Sequence, residues 1–298
     1  MLGLLEQRAN YYTGTTNSMG LKAQVARSFC EGFKCSNASK LLAFRTKTYK
    51  NAPMRKGRWP LVIYLASYGS MGYENILLLE ALARRGYVVA AINSIGRFPG
   101  DMTTEKEDLF EQVNDAVFSI RHLYNNPAID FQRIAVIGYS WGGLAGNLLP
   151  GKIPDIACIV SLEGSEFHHY GQKDPDAKKE DSNFNSLVQT AAFRDRSMTV
   201  PYLRFESSPS SANDGFDSVY NFGAGMVNKE ILRVINGKHE DFCSIGPIVK
   251  ASGNCEQDDK YAAVVNLTLS FIDEKIRNQN AFRNMLEKYL NRSVVEVK

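Results

Sequence analysis

Apolar positions along this chain fall into two alternating rhythms. Short runs that are apolar almost without interruption, Leu61 to Ala66, Tyr87 to Ile92, Arg133 to Gly138, Ile156 to Leu162, Val200 to Glu206 and Glu230 to Ile235, have the length and β-branched content of strands. A strand with one buried face alternates apolar and polar side chains, so continuous runs predict strands covered on both faces, the condition of a parallel sheet. Between them lie longer segments with a helical period. From Glu105 to Asn125 the residues Leu109, Val113, Ala116, Val117, Ile120, Leu123 and Tyr124 recur at three and four, and Asn126 and Pro127 stop the pattern. Glu74 to Arg85, closed by Gly86, and Asp258 to Arg277 carry similar stripes. Strand and helix in repeated alternation predict an α/β fold, a doubly wound and mostly parallel sheet with right-handed crossovers and helices on both faces.

Two stretches depart from this rhythm. Residues 1–40 are polar and small-rich, and read as an N-terminal extension packed on a core that begins at Leu41. Gln172 to Ser186 holds Asp174, Asp176, Lys178, Lys179, Glu180 and Asp181 with almost nothing to bury, and Asn185 to Arg196 continues as a short helix. A small insertion at about 165–198 is therefore expected in a single domain spanning 41–298, placed where it can cap a site at the carboxyl edge of the sheet.

Composition narrows the function classes. Hydrophobic residues make up 44% and charged residues 22%, the proportions of a globular domain. The 35 basic and 32 acidic residues are interleaved, so no basic stripe for nucleic acid is expected. No run approaches the roughly 18 apolar residues of a membrane span; even Ala262 to Ile272 is broken by Asn266, Thr268 and Ser270. Met1 to Gln7 lacks the basic start and apolar length of a signal peptide. Cys30 and Cys35 lie five apart, and Cys243 and Cys255 bracket a Gly, Pro and Ser-rich loop, spacings that could close two local disulfides and favour a secreted or periplasmic setting over the cytoplasm. Cys158 lies in an apolar strand as a buried thiol, and no metal site is expected at either pair.

The chemistry is carried by Gly138-Tyr139-Ser140-Trp141-Gly142-Gly143, a G-x-S-x-G pattern. It follows one predicted strand directly and opens a small-residue helix, Leu144 to Leu149, which is the context of a strained turn that presents a nucleophile. The glycines answer a steric need, because side chains two residues either side of the serine would collide in such a turn. The same turn aims the N–H of Trp141 at the place where an oxyanion forms, with a helix N-terminus behind it.

A serine hydroxyl needs a base. Of four histidines, His122 lies in a periodic helix and His168 and His169 stand beside the charged insertion, whereas His239 follows the strand Ile231 to Ile235 in a loop of its own. The orienting carboxylate has three candidates: Glu163, directly after a strand; Asp214, in the loop beyond Phe205; and Glu206, ending that strand. A second oxyanion donor is expected from the loop after Leu61 to Ala66, with Tyr68 N–H chosen and Gly69 and Ser70 its neighbours. Tyr73, Phe98, His168, Phe184 and Phe216 are candidates to line a pocket.

With Pro60 to Tyr64, Ala83 to Ala91, the turn at Ser140 and His239-Glu240-Asp241-Phe242 in view, the chain resembles the α/β-hydrolase superfamily from about Leu41 to Leu290. More narrowly it is similar to platelet-activating-factor acetylhydrolase and dienelactone-hydrolase-like esterases. That resemblance implies an acid after the strand that follows the nucleophile helix, where Glu163 stands, although the acetylhydrolases commonly use aspartate there. Dienelactone hydrolases use cysteine where this chain has Ser140. The expected activity is hydrolysis of a small-molecule carboxylic ester through an acyl-enzyme, without cofactor or metal. Peptide hydrolysis or acyl transfer by the same triad, and an inactive binding relative, are the rival readings.

Overall fold

The computed structural model describes residues 38–49, 51–94, 96–97, 102–103, 105–165, 199–208, 226–250 and 255–298. Most of the expected N-terminal extension, the insertion at about 165–198, Cys30, Cys35, Asp214, and the pocket candidates Phe98, His168, Phe184 and Phe216 lie outside these residues.

Six strands run parallel: β1 (Trp59–Leu65), β2 (Val88–Ile92), β3 (Ile129–Tyr139), β4 (Ile156–Leu162), β5 (Tyr202–Glu206) and β6 (Lys229–Val234). A short β7 (Val295–Val297) pairs antiparallel with β6. The helices are α1 (Ala38–Ala43), α2 (Ile76–Arg84), α3 (Lys106–Leu123), α4 (Trp141–Leu148), α5 (Ile245–Lys250), α6 (Cys255–Arg277) and α7 (Phe282–Asn291). A 3-10 turn, Gly72–Asn75, leads into α2, where the sequence pattern suggests uninterrupted helix from Glu74.

The near-continuous apolar runs have the expected cause. Successive β1 side chains point to opposite faces, so Leu61, Ile63 and Leu65 join a core with α3 and α4, while Val62, Tyr64 and Ala66 join a second core with α2, α6 and α7. Ile134 and Val136 of β3 enter the first core and Ala135, Ile137 and Tyr139 the second. These central strands are therefore apolar on both sides, and the result is the doubly wound α/β architecture.

The sheet order is β2-β1-β3-β4-β5-β6-β7. The chain leaves β1 for the edge strand β2 and returns to β3 on the other side of β1. Connections that depart in opposite directions open a crevice beyond the carboxyl ends of β1 and β3. Ser140 directly follows β3, and the Ser67 to Gly72 loop follows β1.

Three local features differ from the sequence pattern. The stretch after Cys243 contains helix α5, and Cys243 is a free, fully buried thiol that donates to the Glu240 carbonyl at 3.4 Å. The suggested Cys243–Cys255 disulfide is thus not formed, because the fold turns the Cys243 side chain into the core. Helix α7 was not anticipated, although Phe282, Leu286 and Tyr289 are its buried positions and follow a helical repeat. Among the described residues no helix is long and apolar enough to cross a membrane.

Candidate active site

Ser140 takes φ 54° and ψ −119°, a conformation that side-chain-bearing residues rarely adopt. The packing around it explains how the turn is held. A Cβ added to Gly138 would lie 2.1 Å from the Gly142 carbonyl oxygen, and one added to Gly142 would lie 2.1 Å from the Leu65 carbonyl oxygen. The turn is therefore pressed against the end of β1 with no room for a methyl group. Its backbone is bonded on both sides: Ser140 N–H donates to the Leu162 carbonyl at 3.0 Å, and Ser165 N–H donates to the Ser140 carbonyl at 2.9 Å. These bonds place Ser140 beside the turn that carries Glu163.

Trp141 opens α4 and is buried, so its N–H belongs to the positive end of that helix. Its ring meets the Tyr68 ring edge-on with centroids 6.0 Å apart, joining the nucleophile turn to the loop after β1. That loop is braced from several directions. Gln112 of α3 donates to the Ala66 carbonyl at 2.8 Å, and the Tyr68 hydroxyl donates to the Met102 carbonyl at 2.5 Å. Gly72 N–H donates to Asn93 Oδ1 at 3.0 Å. The buried Glu74 carboxylate accepts from Ser67 N–H at 2.9 Å, Ser67 Oγ at 2.5 Å and the Tyr64 hydroxyl at 2.8 Å.

His239 begins a 3-10 turn, His239–Phe242, after β6 and is exposed. Its ring stacks on that of Tyr139, centroids 5.0 Å apart, and the Tyr139 hydroxyl donates to the His239 carbonyl at 2.9 Å. Tyr139 immediately precedes Ser140 in the chain, so the aromatic contact joins the His239 loop to the end of the strand that leads into the Ser140 turn. Lys238 N–H donates to the Asp241 carboxylate at 3.0 Å, closing the start of the turn. Burial pushes the Tyr139 phenol well above its ordinary range, followed by nearby acidic groups, so it remains a donor at any working pH.

Glu163 directly follows β4 with φ 47° and is buried. Its N–H donates to the Phe205 carbonyl at 2.9 Å, and its carboxylate accepts from the Ser207 hydroxyl. Next in the chain, Ser208 N–H donates to the Gly237 carbonyl at 3.1 Å and Ser208 Oγ to the Val234 carbonyl at 3.1 Å. The Ser207-Ser208 pair thus ties the acid turn to the loop that carries His239.

Glu206 has other partners. It accepts from the fully buried Arg204 Nε at 3.1 Å and from Lys298 Nζ at 2.8 Å. Burial would raise its pKa, but the two cations outweigh it and hold the carboxyl below its ordinary range. Its charge is committed to an ion pair within the sheet. Arg204 also donates to the Gly164 carbonyl at 2.9 Å, bracing the Glu163 turn from beneath, a contact between two strands distant in sequence that no local pattern signals. Tyr73 is buried in the apolar core with α2, where it packs rather than lining an open site. Ser140, Trp141, Tyr68, Glu163 and His239 all cluster at the carboxyl edge, from the ends of β1, β3, β4 and β6. Among the described residues no group of three histidine, cysteine or acidic side chains is placed to hold a metal ion.

A mostly parallel sheet wrapped by helices, with a strained serine turn at its switch point, defines an α/β-hydrolase. Within that class the chain belongs to the X-Pro dipeptidyl-peptidase (S15) family, which it matches over residues 44–196, about half its length. Among solved structures it is similar to a ferulic acid esterase from Streptomyces cinnamoneus, with a TM-score of 0.62 and 18% identity, over 83% of this chain and 76% of that one. Neither match names the acetylhydrolase or dienelactone-hydrolase groups. No curated protein matches the chain in sequence.

Proposed function

We propose that this α/β-hydrolase is a serine esterase that cleaves a small carboxylic ester through an acyl-enzyme. The observation that carries the reading is the strained Ser140, held between two glycine contacts and flanked by Tyr139, on which His239 stacks. His239 takes the Oγ proton of Ser140 as Oγ attacks the ester carbonyl carbon. Negative charge then develops on the carbonyl oxygen, and the N–H groups of Trp141 and Tyr68 receive it. His239 returns the proton to the departing alcohol, and in the second half-reaction it deprotonates water that attacks the acyl carbonyl and gives that proton to Ser140 Oγ as the acyl–serine bond breaks and the acid leaves. Glu163 is the carboxylate that orients the imidazole; its buried place beside Ser140 and the His239 loop favours it, and the ion pairs of Glu206 disfavour that residue, while Asp214 lies outside the described residues.

The same groups would cleave an amide, and membership of a peptidase family favours a second reading, release of an N-terminal dipeptide after proline. A ferulic acid esterase with the same fold makes esters the first substrates to try. One panel separates the two: p-nitrophenyl acetate and longer acyl esters, methyl ferulate, and Ala-Pro-p-nitroanilide. Ester turnover with little or no anilide release is expected, together with stoichiometric labelling by a fluorophosphonate. Ser140→Ala should fold normally and lose labelling and at least about 10⁴-fold in kcat. Undiminished hydrolysis by that variant refutes the assignment, and anilide turnover exceeding ester turnover selects the peptidase reading.

A further inference from the structure

The buried Glu74-Asn75 pair sits between the two loops that the proposed reaction depends on. Glu74 is fully buried at the start of α2, yet its carboxylate points at the loop after β1 rather than at any cation. It accepts both hydrogen-bonding groups of Ser67, the residue immediately before Tyr68, and the hydroxyl of Tyr64 on β1. The opposite side of the same residue serves the histidine loop. The Glu74 carbonyl accepts from Ser244 N–H and from Ser244 Oγ, each at 2.8 Å, directly after the His239–Phe242 turn. Asn75 extends the bridge: Nδ2 donates to the Phe242 carbonyl at 3.0 Å and to the Tyr64 hydroxyl oxygen at 3.2 Å, while Oδ1 accepts from the Tyr261 hydroxyl at 2.8 Å. A buried acid without a cation is costly, since desolvation raises its pKa, an effect its donors only partly offset. An apolar residue would fill the position at lower cost if packing were its only purpose.

We propose that Glu74 is a positioning residue for catalysis: by holding Ser67 it sets the peptide that presents Tyr68 N–H to the oxyanion, and together with Asn75 it fixes that loop against the one carrying His239. The requirement is for an acceptor of defined geometry, not for a charge. Glutamine at position 74 keeps one oxygen for Ser67 N–H and the Tyr64 hydroxyl, and the Ser67 hydroxyl can rotate to accept from the new amide. Alanine keeps neither. Donors aimed at the oxyanion act on the transition state more than on the bound ester, so the loss falls on kcat.

This inference rests on the serine-esterase reading, and the experiment separates the two. Active sites are counted by titration with diethyl p-nitrophenyl phosphate, and kcat and KM per titrated site are measured with p-nitrophenyl acetate for the wild type, Glu74→Ala, Glu74→Gln and Ser67→Ala. The expected result is a fall in kcat of about 10² for Glu74→Ala, about fivefold for Ser67→Ala and no more than about threefold for Glu74→Gln, with KM within about twofold throughout. A merely structural role would reduce the number of titratable sites but leave kcat per site unchanged. That outcome overturns the proposal, as does a Glu74→Gln enzyme as impaired as Glu74→Ala. If Glu74→Ala does not fold, the milder variant Ser67→Ala, at a half-buried position, decides: wild-type kcat there overturns it. A wild-type enzyme inert to both reagents instead refutes the esterase reading itself.

Discussion

Placing a methyl group on Gly142 probes how tightly the nucleophile turn is built. The added Cβ would lie 2.1 Å from the Leu65 oxygen, 2.6 Å from the Leu65 carbonyl carbon and 2.7 Å from the Ala66 oxygen. Unstrained carbon–oxygen contacts lie at about 3.3 Å, so the turn and the end of β1 must separate by roughly 1 Å. Neither side can give way by a rotamer change, because every atom met is backbone and Leu65 is registered against Gly138 in the ladder. Overpacking costs about 1–3 kcal/mol when side chains can adjust, and this site belongs at the upper end, near 3 kcal/mol. Alanine's helix propensity returns about 1 kcal/mol, leaving a net loss of about 2 kcal/mol. Gly146 in the same helix supplies the control: its added Cβ would meet Val136 Cγ1 at 3.1 Å, a methyl that can move, so the propensity gain roughly cancels the contact. A displacement of about 1 Å between Ser140 and the oxyanion donors should cost about 10²-fold in kcat. Urea unfolding midpoints and p-nitrophenyl acetate turnover measure both quantities. Equal midpoints and equal kcat for Gly142→Ala and Gly146→Ala would show that the close approach of turn and strand is not what holds Ser140.

Four further outcomes are expected. Burial pushes the Asp108 pKa up, but bonds from the Thr103 hydroxyl, the Arg97 and Thr103 N–H groups and the Arg97 guanidinium outweigh it and hold it at about 2. A depressed carboxyl stabilises the fold above its unfolded pKa near 4 and loses that contribution as pH falls toward 2, so Asp108→Asn should cost about 1 kcal/mol at pH 7 and show a flatter acid limb of unfolding free energy than the wild type; parallel limbs would refute the assignment. Arg204→Met should destabilise by about 2–3 kcal/mol, less than the loss of a sole partner because Lys298 still pairs with Glu206, and adding Glu206→Gln should recover part of that in urea unfolding; no recovery means that the pair is not the unit that matters. Burial pushes the Cys158 thiol up to about 12 and the Cys243 thiol higher still, so peptide mapping after iodoacetamide at pH 8 should find both unmodified until the protein is denatured. Tyr68→Phe removes the bond to the Met102 carbonyl from a half-exposed side chain, and should lower kcat about threefold while the melting temperature stays within about a degree; a drop in stability would place the tyrosine in the core instead.

The turn at Ser140 was legible because its signals are local. The Gly138 and Gly142 spacing, the strand before it and the small residues after it lie within a dozen positions, and β4 runs over Ile156–Leu162 as its apolar run indicates. His239 could be singled out because only four histidines exist and one follows a late strand. What separates Glu206 from Glu163 lies in contacts that no local pattern signals: Arg204 and Lys298 claim Glu206, while Ser207 meets Glu163 across neighbouring strands, and Asp214 lies outside the described residues. Glu74 read as the polar start of a helix, yet it bonds Ser244, 170 positions away, and its neighbour Asn75 bonds Tyr261, 186 positions away. Strand β7, three residues long, is too short to show a period, and pairs only because β6 offers it an edge.

Short-range sterics and the burial of both sheet faces are written in the order of residues, since a hydrophobic run or a glycine next to a strained serine acts on its immediate neighbours. From these alone follow the α/β class, the parallel strands and the turn at Ser140. Which buried polar group finds which partner was decided by the tertiary fold. A hydrogen bond or ion pair depends on ångström distances between elements that the winding of the sheet brings together, and so Cys243 became a core thiol, Glu206 an ion-pair partner and Glu74 the brace between two loops.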